Sequence, residues 1–86
     1  MTDDYGRELE AIANRLSAVS ATSVRGNGSG RFVFSDQGAR AVELSRNGDS
    51  WWVEFFEGED VTHDETLSSS DDATKAALDW LSNAKQ

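Results

Sequence analysis

The run Trp51-Trp52-Val53-Glu54-Phe55-Phe56 constrains the fold more than any other part of the chain. It packs four of the eight aromatic residues into six positions, directly after the turn signal Asn47-Gly48. Alternate side chains of a strand point to opposite faces. Trp51, Val53 and Phe55 therefore share one face, and Trp52, Glu54 and Phe56 share the other. One face can serve a core; the other then presents two aromatics to whatever lies outside.

The flanking turns predict the neighbouring strands. Asn47-Gly48 as a two-residue type I′ turn sets Leu44 opposite Trp51 and Val42 opposite Val53. It also pairs Arg46 with Asp49. Sliding the turn to Gly48-Asp49 places Glu43 opposite Glu54, a like-charge pair that cross-strand energetics disfavour, so the first register is expected. Upstream, Asp36-Gln37-Gly38 fits a three-residue loop with its glycine left-handed, which pairs Phe32 with Val42, Phe34 with Arg40 and Arg31 with Glu43. Phe32, Phe34, Val42, Leu44, Trp51, Val53 and Phe55 then form the expected core face.

Helices are predicted on both sides of the strands. Tyr5, Leu9, Ile12, Leu16 and Val19 recur at helical spacing, placing a first helix over about residues 3–19 with Asp3 or Asp4 as its cap. Residues 20–30 read as a connector. Their Gly26-Asn27-Gly28-Ser29-Gly30 lacks the preceding strand and following helix of a phosphate-cradling loop. Residues 61–67 suit either a fourth strand or an extended loop. Ser68-Ser69-Ser70-Asp71-Asp72 then supplies caps and first-turn acids for a last helix, whose apolar face holds Ala73, Ala77, Trp80, Leu81 and Ala84, with Leu78 beside it.

Eighty-six residues without cysteine make one domain, with neither disulfides nor thiolate metal sites to support it. The expected architecture is two-layer α+β: helix, three or four antiparallel strands, helix, with both helices on one face of the sheet. That order is also the order of the double-stranded RNA-binding domain, and Lys75-Ala76-Ala77-Leu78 resembles the last helix of that family. The family opens this helix with a lysine cluster that grips phosphate. Asp71 and Asp72 stand there instead, so the resemblance carries no function.

Charge narrows the function classes. Of the net −8, residues 57–72 carry −7: Glu57, Glu59, Asp60, Asp64, Glu65, Asp71 and Asp72, with no lysine or arginine. Such a field opposes direct nucleic-acid binding, which draws its affinity from cations on phosphates. The acidic start, Met1-Thr2-Asp3-Asp4, leads into no apolar stretch, and no segment reaches the length of a membrane span, so a soluble cytoplasmic protein is expected.

Catalytic patterns are sparse. His63 is the only histidine, and zinc or iron sites draw on several His or Cys ligands. The acidic run lacks the calcium-loop spacing. Ser68, Ser69 and Ser70 sit in no nucleophile elbow and are explained by capping. No cofactor is expected, and no enzyme, the alternative being a small one centred on His63 and nearby carboxylates.

The reading that remains is a small acidic protein-interaction module of the adaptor, chaperone or inhibitor kind. Its candidate residues are Trp52, Phe56, Val33 and Glu54 on the outer sheet face, flanked by Arg31, Ala41 and Glu43, together with the acids Glu57, Glu59 and Asp60. The expected partner is a protein, a basic one if the acidic stretch is used. Self-association through the same face is a variant, and a nucleic-acid mimic docking into a basic cleft is a further alternative.

Overall fold

A computed structural model describes residues 4–83, the side chain of Ser29 aside. Helix α1 (Asp4–Leu16) leads into a five-stranded antiparallel meander: β1 (Ala21–Arg25), β2 (Phe32–Gln37), β3 (Arg40–Asn47), β4 (Ser50–Glu57) and β5 (Asp60–Leu67). Helix α2 (Ser70–Ser82) follows. The domain is two-layered α+β, both helices burying their apolar stripes against one face of the sheet. Five strands replace the expected three or four. Residues 61–67 are strand, and the expected connector holds both β1 and a short 3₁₀ turn at Gly28–Gly30. The element order is therefore no longer that of the double-stranded RNA-binding domain.

The helices form where the periodicity places them. Leu9, Ile12 and Leu16 of α1 are buried with Ala73, Ala77 and Leu81 of α2. Helix α1 stops at Leu16, earlier than the stripe suggests. The Ser17 and Ser20 hydroxyls donate back to the carbonyls of Asn14 and Leu16, which ends the regular ladder, and Val19 lies exposed beyond it. At α2 the Ser69 hydroxyl accepts from the Asp72 amide at 3.1 Å, closing the expected cap. Asp3 and Ala84, expected as a cap and as part of the α2 face, lie outside the described residues.

Both hairpin registers differ from expectation. Asn47 pairs with Ser50, so Gly48-Asp49 is the turn, and Leu44 faces Val53, Val42 faces Phe55 and Glu43 faces Glu54. Gly48 has φ 64° and among the described residues no non-glycine residue has positive φ, the pattern of a type II′ turn with glycine first. A type I′ turn would have forced Asn47 into the left-handed region as well. Gly38 and Gly58 take the same role in the two neighbouring hairpins, giving one glycine every ten residues. The β3–β4 slip is two residues, which preserves faces. The β2–β3 slip is odd: Gln37 pairs with Arg40 and Val33 with Leu44. Strand β2 is thereby turned over.

The core face accordingly holds Val33, Ser35, Val42, Leu44, Trp51, Val53 and Phe55, not Phe32 and Phe34. Ser35 is fully buried, yet its hydroxyl is hydrogen-bonded to Ser20 and, at 2.7 Å, to Thr22. Strand β1 and its lead-in thus provide the polar partners that let β2 turn a serine inward.

Candidate docking face of the sheet

Both helices occupy one side of the sheet, and no described helix covers the other. Three rows cross it, taking their residues from β2 to β5, with Ser23 and Arg25 of β1 beside Phe34 and Phe32. The middle row is Phe34, Glu43, Glu54 and Asp64, each directly opposite the next on β2 to β5. On one side run Ser45, Trp52 and Thr66, with Phe32 on β2. On the other run Asp36, Ala41, Phe56 and Val61. Phe32, Phe34, Trp52 and Phe56 are half-buried, and Val61 is exposed. Between Phe32, Glu43, Ser45 and Trp52 lies a depression of about 200 Å³, the size of one side chain.

Of the residues expected to bind a partner, Trp52, Phe56 and Glu54 lie on this face. Val33 does not. It is fully buried, because the odd slip of β2 exchanged Val33 with its two phenylalanine neighbours. Glu57, Glu59 and Asp60 cluster at the β4–β5 turn, exposed at the end of the row that holds Phe56. Phe32 and Phe34 are the residues that sequence reasoning missed. The ten-residue recurrence of Gly38, Gly48 and Gly58 was the signal for them, since Gly-first two-residue turns there fix the parity of β2 against β3 and β4; in β5 a bulge opposite Phe55 and Phe56 shifts the register and brings Asp64 opposite Glu54.

Electrostatically the face is frustrated at its centre. Three carboxylates follow one another across strands about 4.8 Å apart, and none of the three is ion-paired among the described residues. Burial among the aromatics raises the Glu43 carboxyl above its ordinary range, the Glu54 charge opposite raises it further, and Arg25 partly offsets both. Arg25 itself lies over the Phe34 ring, 4.3 Å from its centre.

The other candidate chemistry sits on the core side of β5. His63 stacks on Phe55 at 4.4 Å and meets Trp80 edge-on at 5.7 Å, beside a cleft of about 280 Å³ that Glu65 and Asp79 also line. Its Nε2 is 3.7 Å from Glu65. The Trp80 indole donates to the Phe56 carbonyl at 3.1 Å, and Arg40 covers the ring at 4.0 Å. Ser69 and Ser70 lie at the opposite end of α2 from Trp80, roughly 15 Å away at 1.5 Å per residue. The structure therefore does not bring the serine tract to His63. Among the described residues no three His, Asp or Glu side chains are grouped to hold a metal ion, and no helix is long and apolar enough to cross a membrane.

Comparison of the chain with protein-family models, with curated proteins and with solved structures finds no match.

Proposed function

We propose that this chain is a small cytoplasmic protein-interaction module whose uncovered sheet face receives a protein partner. The observation that supports this is the placement of Phe32, Phe34, Trp52 and Phe56 together on the one sheet face that neither described helix covers. Half-buried aromatics on an uncovered sheet face, here on both sides of a row of carboxylates, support an association surface, with tryptophan the most frequent anchor of such surfaces. The carboxylate row favours a different protein over a second copy of this chain. Laying two such faces together on a twofold axis would bring Glu43, Glu54 and Asp64 against their own copies. A monomer in sedimentation at moderate salt is the expected result.

The reading is tested by installing a photo-crosslinking side chain at Phe34 and, as control, at Glu10 on the exposed side of α1. In the native host the Phe34 probe should trap a defined partner that the Glu10 probe does not, and Trp52→Ala should abolish the adduct. Identical adducts from both positions, or none from Phe34, would refute a docking role for the face.

A further inference from the structure

The carboxylate row is the feature of this face that the fold itself does not explain. Glu43, Glu54 and Asp64 stand on adjacent strands, and among the described residues no cation is ion-paired to them, Arg25 offsetting the Glu43 charge only in part, although slipping the β3–β4 hairpin by two residues would separate Glu43 from Glu54 with the same core face. A local arrangement that costs stability and persists is where function is to be sought. A metal ion is the wrong complement: its ligand oxygens crowd to about 2.0–2.6 Å, and no such grouping exists among the described residues. What fits is a line of side-chain cations at the strand spacing of about 4.8 Å. A helix offers this, since residues three or four apart stand about 5–6 Å from one another along one face. An extended segment does not, its same-face residues being about 7 Å apart.

Resting on the reading of this face as a docking surface, we infer that its partner presents an amphipathic basic helix, laid across the strands with lysines or arginines one turn apart along the Glu43–Glu54–Asp64 row. Apolar residues on the two sides of the basic stripe pack on Trp52 and Phe32 in one direction and on Phe56, Ala41 and Val61 in the other. The cations complete a charge pattern that the isolated domain leaves unbalanced, and the aromatics supply the buried area.

The test uses the full chain and three synthetic peptides, followed by calorimetry and by the indole signal of Trp52 in NMR spectra. One is a leucine-flanked helix with lysines at i, i+4 and i+8; the second carries glutamines in place of the lysines; the third has the lysines at every second position in a strand-forming sequence. The lysine helix should bind more tightly than the glutamine helix. Glu43→Gln should weaken it about three- to fivefold, the worth of one partly exposed charge pair, while leaving the glutamine helix unaffected. Its affinity should fall as salt shortens the Debye length from about 10 Å to about 3 Å. Equal binding of the lysine and glutamine helices, lost in Trp52→Ala, would overturn the basic partner yet keep the docking face. Equal binding of the strand peptide would overturn the helix. Absence of any Trp52-dependent binding would overturn both the inference and the reading beneath it.

Discussion

Glu43 shows how one side chain can work against the stability of its own fold. Its carboxyl titrates above the ordinary value because burial and the Glu54 charge both disfavour ionisation. The fold therefore binds that proton more tightly than the unfolded chain, and stability falls as pH rises through the window between the ordinary and the raised value. Asp71 runs the other way. The Arg15 guanidinium, 2.6 Å away, holds its carboxyl low, so its contribution is present above the ordinary value and is lost as pH falls through the folded one. Glu43→Gln should raise stability at neutral pH by roughly 0.5 kcal/mol, the scale of a directly opposed like-charge pair. That gain should shrink as the medium is acidified, because protonated Glu43 already resembles glutamine. Urea titrations of both proteins across the acid range check the sign. A gain independent of pH would mean that the glutamate is not strained by its charge.

At the scale of elements, the two neighbouring tryptophans report which face of β4 is which. Trp51 is 3% exposed in the core, whereas Trp52 lies on the open face. Trp51→Ala should cost about 3–5 kcal/mol, and Trp52→Ala about 1 kcal/mol or less, as thermal melts of the two variants will show. Equal losses would mean that something covers both faces. The faces of β3 and β4 were legible in the sequence because the hairpin error was an even one. The helices were legible because a 3.6-residue stripe survives any error at their ends. Strand β2 was not: Phe32 and Phe34 outweigh Val33 and Ser35 in hydrophobicity, and only the hydroxyl partners brought by Ser20 and Thr22 make the opposite choice tolerable. Strand β1 was illegible for a related reason. It is an edge strand with four of its five residues exposed, so Ala21-Thr22-Ser23-Val24-Arg25 never alternates between apolar and polar. Half of the aromatic patch thus followed from simple alternation, and the other half depended on a turn type. That turn type has its own test. Gly48→Ala places a Cβ at φ 64° and should cost about 1–2 kcal/mol, while Gly48→Asn should cost less; equal stability of all three proteins in urea would show that the turn is not held left-handed.

For the whole molecule, the decisive quantity is how its charge is laid out over the fold. The acidic stretch 57–72 runs out of β4, along the whole of β5 and into the first turn of α2. Strand β5 is an edge of the sheet with only Leu67 partly buried. Charges on such an edge keep a second chain from pairing with its free backbone groups, and acids in the first turn of α2 suit the helix dipole. Part of the acidity is therefore accounted for without a partner. It still carries a cost, because Glu54, Asp64, Glu43 and the acids of the β4–β5 turn sit within a few strand spacings of one another. Salt also weakens the exposed pairs Arg15–Asp71 and Arg46–Glu8, the latter at 2.8 Å. Exposed pairs contribute only about 0–1 kcal/mol each, whereas the repulsion is shared among the seven carboxylates from Glu57 to Asp72 together with Glu43 and Glu54. Screening should therefore help more than it harms, and the melting temperature should climb as sodium chloride is raised from about 0.1 M to about 1 M, over which the Debye length falls from about 10 Å to about 3 Å. Glu43→Gln should show a smaller climb than the wild type, since one of the repelling charges is already gone. A melting temperature that drops over the same range would mean that ion pairs such as Arg15–Asp71 and Arg46–Glu8 outweigh the crowded acids. The carboxylate row would then be a solvated surface at no cost to the fold, and the physical reason for expecting a cationic partner there would disappear.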